Sequence, residues 1–376
     1  MTTEAVAEQA SDVEVEGLDV RAYTVPTDEP ESDGTMEWDS TTIVVVEAHA
    51  GGRTGLGYTY GDTSTAKLIE GKLASAVEGT DPFLVADTWQ RMSAELRNAG
   101  RPGIGFMAIA AVDIALWDLK ARLLDLPLIR VLDAAHDHVP IYGSGGFCSY
   151  SLERLREQLG GWVEQGIPRV KMKVSRTPEE DPRRLDAVRE AIGEHAELFV
   201  DSNGALGRKQ ALYWAHRFAS EWDVRWMEEP VTSDDLDGLR LLRDQGPPGM
   251  DIAAGEYGYI LRDFRELIEH RCVDCLQADV TRCGGITGLV RVSGLCDTWQ
   301  IDLSGHCAPA VSAHALCAVL HLRHLEYFHT HARLERMLFD GTLDPAQGEL
   351  RPDLSRPGLG LELKRTDAQR FQVYGH

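Results

Sequence analysis

ELFVDSN at residues 197–203 and VRWMEEP at residues 224–230 are two short apolar segments that each end in acidic or polar residues. Residues 208–221, which lie between them, have the composition and length of a helix. Parallel strands need a long crossover connection, and a helix usually supplies it. The stretch therefore predicts one β/α unit of a buried parallel sheet.

The same unit repeats on both sides of this stretch. Six further segments have the length and apolar character of strands: VPIYGSG (139–145), RVKMKVS (169–175), DIAAGE (251–256), DCLQADV (274–280), QIDLSGH (300–306) and HLEYF (324–328). Helical stretches at residues 152–165 and 181–192 separate the early strands. The repeat predicts a parallel (β/α)₈ barrel. A doubly wound open sheet is the alternative, but no G-x-G-x-x-G follows the first strand to support it.

The residues before this repeat predict a different architecture. TIVVVEAH (42–49) and residues 55–60 predict antiparallel strands joined by a glycine turn, and residues 105–124 predict a long helix. Residues 25–40 are rich in Pro, Asp, Glu, Ser and Gly, so we expect a long loop there. Trp38 within this segment favours a functional lid.

The predicted fold class is therefore α/β, a (β/α)₈-type barrel with additions at both ends of the chain. We expect an N-terminal α+β capping domain at residues 1–138 and the barrel catalytic domain at residues 139–343. Residues 344–376 form a C-terminal segment that we expect to pack back on the cap and complete it. Within that segment, GLGLEL (358–363) predicts a short strand.

Composition limits the partners of the chain. It has 376 residues and a formal net charge of −22, and a surface this acidic repels phosphate backbones, so we expect no nucleic-acid partner. No apolar run is long enough to span a bilayer. Residues 1–17 are acidic and lack the basic start and apolar stretch of a signal peptide. We therefore expect a cytoplasmic protein with no membrane partner.

The seven cysteines predict neither a disulfide framework nor a zinc site. Their number is odd and the chain is long, which argues against a set of disulfides. Cys272 and Cys275 form a C-x-x-C, but no second pair and no histidines at ligand spacing accompany it. Buried free thiols are the favoured interpretation.

Three consecutive barrel strands end in the carboxylates Asp201, Glu228 and Glu256. One β/α unit separates each from the next, so their side chains can converge at the carboxyl ends of the strands. Three carboxylates held together repel one another unless a cation lies among them. All-oxygen ligation favours Mg²⁺, with Mn²⁺ as a possible substitute. Three separate salt bridges are the alternative.

Lys171 and Lys173 alternate along one strand, so their side chains point to the same side. If both face the barrel interior, we expect each to lower the pKa of the other, which would provide a neutral lysine as a general base. A pair of surface lysines is the alternative.

Asp279 and His306 lie one β/α unit apart on later strands. A carboxylate beside a histidine fixes its tautomer and raises its basicity, which would make a second acid/base group across the metal from the lysines. A structural histidine is the alternative. At the end of the eighth strand, we expect Glu326 to donate a proton or a hydrogen bond to a substrate carboxylate.

These residue types suit removal of the proton next to a carboxylate. Removal of that proton creates a dianionic enediolate, and a divalent cation and Lys171 would stabilise its charge. Lys173 or His306 would take the proton. The positive charge that an anionic substrate needs is then supplied locally, despite the acidity of the chain.

The motifs that carry these residues resemble those of the enolase superfamily, specifically the mandelate racemase branch of the mandelate racemase/muconate lactonizing enzyme family. The matching segments are AAVDIALWDLKAR (110–122), KMK (171–173), VDSNGA (200–205), WMEEP (226–230), AAGE (253–256), ADVTRCGGITG (278–288), SGH (304–306) and HLE (324–326). The resemblance covers nearly the whole chain.

The resemblance implies roles for individual residues. It implies three Mg²⁺ ligands: Asp201, Glu228 and Glu256. It implies two acid/base groups: Lys173 and the Asp279–His306 dyad. It implies three substrate-binding or charge-stabilising positions: Lys171, Asn203 and Glu326. We also expect Trp38 and Tyr60 of the cap to line the substrate site.

Dehydration of an acid sugar to a 2-keto-3-deoxy acid is our first hypothesis, because this activity is widespread in the branch that the chain resembles. Racemisation or epimerisation of a 2-hydroxy acid is the second, since it begins with the same proton abstraction. Cycloisomerisation is less favoured, because Asp279 replaces the lysine expected on the sixth strand.

Two other classes of protein fit the sequence less well. A metal-dependent hydrolase would need an H-x-H near the first barrel strand, whereas His329 and His331 follow the last one. A non-catalytic binding protein would not need both proton-transfer groups. We expect a small-molecule carboxylate substrate and a homo-oligomer.

Overall fold

The chain begins with an antiparallel meander in the computed structural model, which describes residues 13–375. Its strands are β1 (Gly17–Ser32), β2 (Glu37–Ala50) and β3 (Arg53–Tyr60). The β-branched run of β2 is buried on both faces, because alternate side chains enter two different cores. Val44 and Val46 pack against the helices of the cap, whereas Ile43 and Val45 join the core of the barrel.

The prediction of a long loop at residues 25–40 is wrong. β1 continues to Ser32 and β2 starts at Glu37, so only a short turn separates them. Glu31 and Trp38 are cross-strand partners, and the indole nitrogen of Trp38 donates to the Glu31 carboxylate at 2.8 Å. The polar composition that indicated a loop belongs to a hairpin tip that reaches over the barrel mouth.

Helices complete the cap. They are α1 (Thr63–Leu68), a single π turn (Ile69–Leu73), α2 (Ala74–Val77), α3 (Val85–Glu95), α4 (Ile104–Leu123) and α5 (Leu128–Val131). The predicted long helix is α4, which packs along β3 and contributes most of its length to the buried core. Gly55 and Gly57 of β3 allow this approach, because a Cβ at either position would lie within 2.5 Å of the α4 backbone.

Eight parallel strands then close into a barrel, as predicted. They are β4 (Val139–Gly145), β5 (Arg169–Lys173), β6 (Glu197–Asp201), β7 (Val224–Glu228), β8 (Asp251–Ala254), β9 (Cys275–Ala278), β10 (Asp302–Gly305) and β11 (Leu322–Phe328). Each pairs with the next, and β11 pairs with β4, which closes the sheet. The open-sheet alternative is therefore excluded.

A helix on the outside of the barrel follows each barrel strand. These helices are α6 (Leu152–Glu164), α7 (Asp181–Ile192), α8 (Arg208–Trp222), α9 (Leu236–Gln245), α10 (Leu261–Glu269), α11 (Gly285–Trp299), α12 (Pro309–Leu316) and α13 (His329–Leu338). None of the helices within residues 13–375 combines the length and the apolar character that crossing a bilayer would require. All seven cysteines are free thiols in this part of the chain, and all except the half-buried Cys148 are buried.

The C-terminal segment returns to the cap, as predicted. Its elements are β12 (Phe339–Asp340), β13 (Glu349–Leu350), β14 (Glu362–Leu363), α14 (Arg365–Ala368), a 3₁₀ turn (Gln369–Phe371) and β15 (Gln372–Tyr374). β15 adds to the cap sheet beside β1, whereas β13 pairs with β4 of the barrel. The boundaries that we predict at residues 138 and 343 fall in connections between elements and stay predictions. Residues 1–12, which carry most of the signal-peptide argument, lie outside the described residues.

Candidate active site

The three predicted metal ligands lie together at the carboxyl end of the barrel. Asp201 and Glu228 end β6 and β7, and Glu256 follows β8. All three side chains are buried, and one carboxylate oxygen from each lies within 4.8 Å of the others. Burial and the nearby charge of Asp201 raise the pKa of Glu228 to about 8. Crowded, buried oxygen donors of this kind fit a hard divalent cation, which would relieve the repulsion among them.

Both lysines of β5 point into the barrel, as predicted. The Lys171 ammonium donates to Glu228 at 2.6 Å, and the Lys173 ammonium donates to Asp201 at 2.5 Å. The surface-pair alternative is therefore wrong for both residues, which are buried.

The surrounding carboxylates act against the expected lowering of the lysine pKa values. Burial favours the neutral form of Lys171, but the charges of Glu228 and Glu326 outweigh burial and raise its pKa. Burial and the charge of Lys171 lower the pKa of Lys173, but the charge of Asp201 outweighs them and raises it. The carboxylates responsible are the proposed metal ligands, so a bound cation would share their charge.

Asp279 and His306 form the predicted dyad. The Nδ1 atom of His306 lies 2.8 Å from the Asp279 carboxylate, whose other oxygen accepts two hydrogen bonds from Thr281. The Nε2 atom of His306 therefore points away from Asp279, and it lies 3.2 Å from Glu256. Burial lowers the pKa of His306, but the surrounding acidic groups outweigh burial and raise it.

Glu326 lies in the middle of the site and acts as an acceptor. One of its oxygens accepts from Lys171 at 2.8 Å and from the Ser144 hydroxyl at 2.6 Å. Burial raises the pKa of Glu326, but the charges of Lys171 and His306 outweigh burial and lower it. Donation from Glu326 to a substrate carboxylate, which we expect from the sequence, stays a prediction.

A cavity of about 450 Å³ separates these strand ends from the cap. The barrel contributes Lys173, Asn203, Glu256, Tyr257, Arg282, His306, Cys307, Glu326, Phe328 and His331. The cap contributes Asp33, Met36, Trp38, Ser40, Thr41, Thr42, Tyr60, Gly61 and Asp62. Lys171, Asp201 and Glu228 lie deeper, since they are completely buried and do not line the cavity.

The three predicted substrate residues all reach this cavity. The Oδ1 atom of Asn203 is buried without a hydrogen-bond partner among the described residues, so a ligand could supply one. The Tyr60 ring stacks on His331 with 3.4 Å between centroids, and its hydroxyl donates to Glu335. Because the polar atoms of Trp38 and Tyr60 are engaged elsewhere, both residues offer the cavity mainly aromatic surface.

Several lining residues were missed in the sequence. Cys307 directly follows His306 in the chain, and Arg282 lies three residues after Asp279. That proximity to predicted residues was the available signal. The Arg282 guanidinium lies 3.5 Å from the Glu256 carboxylate and 3.7 Å from that of Asp279. His331 carried no comparable signal, because only the packing of α13 brings it to the mouth.

Family models match most of the chain. The mandelate racemase/muconate lactonizing enzyme N-terminal domain matches residues 19–132, and the enolase C-terminal domain-like model matches residues 154–368. The chain belongs to the mandelate racemase/muconate lactonizing enzyme family. This member of the enolase superfamily therefore has the fold class and the family that its motifs indicated.

Characterised relatives of this family member differ in their reactions. This chain is 31% identical over 369 residues to the 3,6-anhydro-α-L-galactonate cycloisomerase of Streptomyces coelicolor. The alignment covers 93% of this chain and 97% of that protein. It is also 31% identical over 328 residues to the L-talarate/galactarate dehydratase of Salmonella typhimurium, covering 85% of this chain and 80% of that protein.

Solved structures of family members superpose closely on it. A mandelate racemase/muconate lactonizing enzyme-like protein from Rubrobacter xylanophilus is 65% identical, with a TM-score of 0.94 over 96% of this chain and 100% of that chain. The Salmonella typhimurium talarate/galactarate dehydratase, with Mg²⁺ and L-lyxarohydroxamate bound, is 27% identical, with a TM-score of 0.87 over 100% and 97% of the two chains. The protein is a metal-dependent enzyme of the mandelate racemase type, and Mg²⁺ is its cofactor.

Proposed function

We propose that this enzyme removes the proton next to a carboxylate and dehydrates an acid sugar to a 2-keto-3-deoxy acid. One observation carries the proposal: two proton-transfer groups lie on either side of the carboxylate cluster. Lys173 contacts Asp201 at one edge, and His306 lies beside Glu256 at the other. A substrate α-carbon between them would have an acid/base group on each face.

The metal would be held by Asp201, Glu228 and Glu256. When bound there, Mg²⁺ supplies positive charge near the oxygens on which the enediolate charge develops. Lys171, which is buried against Glu228 and Glu326, adds a fixed positive charge to the same region. Asn203 and the cap residues Trp38 and Tyr60 would contact the substrate.

Lys173 and His306 would divide the proton transfers of dehydration. One group takes the α-proton, and the electrons of the C–H bond move into the enediolate. When those electrons return to form the carbon–carbon double bond, the β-hydroxyl departs with a proton from His306 as water. The resulting enol then takes up a proton at the β-carbon and loses the proton of its hydroxyl group to become the 2-keto acid. Asp279 positions His306 through Nδ1 and leaves Nε2 available for this step.

The cap side of the cavity supports a polyhydroxylated substrate. Ser40, Thr41 and Thr42 are hydroxyl-bearing residues of its wall, and Arg282 brings a positive charge from the barrel side. Hydroxyls of this kind can donate to and accept from a sugar chain. The dehydratase activity of the talarate/galactarate relative adds support for the same reaction class.

A substrate screen tests the proposal. The purified enzyme with Mg²⁺ is incubated in D₂O with a panel of mono- and diacid sugars, and 2-keto products are measured by mass spectrometry and NMR. We expect a 2-keto-3-deoxy product that has lost the original α-hydrogen and gained deuterium. Turnover with the original α-hydrogen retained would refute the proton abstraction.

Racemisation is the second candidate, because proton-transfer groups on both faces would also permit it. It would exchange the α-hydrogen for deuterium and invert the α-carbon without loss of water, so the same measurement separates the two reactions. A cytoplasmic location and a homo-oligomeric state stay predictions.

A further inference from the structure

Three metal-ligand atoms of different chemical types meet on the wall of the cavity. The Cys307 sulfur lies 3.4 Å from Nε2 of His306 and 3.2 Å from Oε2 of Glu326. The nitrogen and the oxygen are 3.3 Å apart, so the three atoms form a nearly equilateral triangle. All three residues are buried and line the cavity.

The size of this triangle fits tetrahedral zinc. Zn²⁺ binds thiolate sulfur at about 2.3 Å and imidazole nitrogen or carboxylate oxygen at about 2.0–2.2 Å. Ligand atoms at those distances in a tetrahedron are about 3.3–3.6 Å apart. The observed separations of 3.2–3.4 Å need only small side-chain rotations to match. The fourth ligand position would open toward the cavity, which all three residues line.

Neighbouring groups orient two of these atoms for binding. Asp279 holds Nδ1 of His306, which is the carboxylate–histidine arrangement that supports metal-binding histidines in proteins. Lys171 and Ser144 occupy Oε1 of Glu326, so Oε2 is turned toward Cys307 and His306.

We propose that His306, Cys307 and Glu326 form a zinc-binding site beside the Mg²⁺ site, with no ligand in common. The two sites adjoin, because Nε2 of His306 also lies 3.2 Å from the proposed Mg²⁺ ligand Glu256. Binding breaks the S–H bond of Cys307, forms a sulfur–zinc bond and releases the proton to solvent, with no change in oxidation state. Mixed sulfur, nitrogen and oxygen ligation selects Zn²⁺ over Mg²⁺, which prefers oxygen. Bound zinc would occupy Nε2 of His306 and inhibit the enzyme; only this inhibition rests on the proposed function.

A binding experiment with the Mg²⁺-loaded full chain tests the site. Zn²⁺ is titrated by calorimetry, and bound Mg²⁺ and Zn²⁺ are then measured by elemental analysis. We expect one Zn²⁺ per chain with Mg²⁺ retained, and Cys307→Ser should weaken zinc binding by at least about tenfold. Cys148→Ser is the matched control, since Cys148 is the more accessible thiol and should not affect binding. Displacement of Mg²⁺ by zinc, or equal affinity in Cys307→Ser, would overturn the proposal.

A second measurement uses the wild-type chain, so its result cannot be affected by a variant that fails to fold. Co²⁺ added to the Mg²⁺-loaded wild-type chain should produce the near-ultraviolet absorption of a thiolate–cobalt bond. A spectrum without that absorption would overturn the site, whatever reaction the enzyme catalyses. Once a substrate is known, activity can be measured with zinc bound through Cys307. Full activity in that state would overturn the proposed inhibition, and it would also count against His306 as a proton-transfer group.

Discussion

The lysine side and the histidine side of the active site are connected to the metal ligands in different ways. On the lysine side, Lys171 and Lys173 form direct ion pairs with Glu228 and Asp201. On the histidine side, Asp279 holds His306, and Asp279 is not a proposed metal ligand. His306 contacts the metal-ligand carboxylates only through Nε2, which lies beside Glu256.

This difference has a mechanistic consequence. The positive charges of the lysines balance the carboxylates directly, so the protonation of Lys173 should depend on whether a cation shares the charge of Asp201. The orientation of His306 is set independently of the cation. Changes on the two sides should therefore separate metal binding from proton transfer.

The largest expected effect comes from replacing the proposed metal ligand that forms an ion pair with Lys173. Asp201→Asn removes a charged oxygen donor and the partner of Lys173, so we expect Mg²⁺ affinity to fall by more than about 100-fold. Exchange of the substrate α-hydrogen should fall with it. Mg²⁺ calorimetry and exchange measured by NMR check both effects. Glu197→Gln is the control, since Glu197 lies at the opposite end of the same strand. Wild-type Mg²⁺ affinity in Asp201→Asn would contradict the ligand assignment.

A change on the histidine side should reduce activity without loss of the metal. His306→Asn removes the proton-transfer nitrogen, so we expect the dehydration rate to fall by about 10²–10⁴-fold. Mg²⁺ affinity should stay near wild type, because His306 is not a proposed ligand. Initial rates and calorimetry test this split, with the exposed His216→Asn as the control. Full activity in His306→Asn would remove the dyad from the mechanism.

Asp279→Asn should have a smaller effect on the same side. The amide keeps the shape of the side chain but loses the charge that orients His306, so we expect the rate to fall by about 10–100-fold. The Michaelis constant and Mg²⁺ affinity should change little, because Asp279 does not line the cavity. A rate equal to that of wild type would show that Asp279 does not position His306.

The smallest expected effect concerns the attachment of the cap to the histidine side. Tyr58 and Tyr60 donate to the buried Glu335 of α13, at 2.5 and 3.2 Å. Tyr60→Phe removes the longer of these hydrogen bonds and keeps the stacked ring, so the free energy of unfolding should fall by about 1 kcal/mol.

Denaturant unfolding measures this change. Tyr213→Phe, at an exposed position of α8, is the control and should have no effect. A loss of Mg²⁺ affinity in Tyr60→Phe would contradict the separation of the cap contact from the metal site.

Much of the molecule was predictable from local pattern. All eight barrel strands were identified, because each is a short apolar run and most carry polar residues at or just after their carboxyl ends. Six of the strands end one or two residues before their predicted limits, since residues such as Asn203 and Glu256 leave the sheet to line the site. The hairpin tip at residues 25–40 was missed, because its polar residues are typical of loops although the backbone pairs as strands.

The order of the barrel units, the carboxylates that converge and the family could all be predicted from the amino-acid sequence. Those properties depend on residue type and on spacing by whole β/α units, which place successive strand ends at one rim of the barrel. Three features become visible only in the folded chain: the charge state favoured by Lys171, the acceptor role of Glu326, and the position of Cys307 beside His306 and Glu326. Electrostatic interactions depend on distances across the barrel and on burial, and neither quantity can be obtained from spacing along the chain.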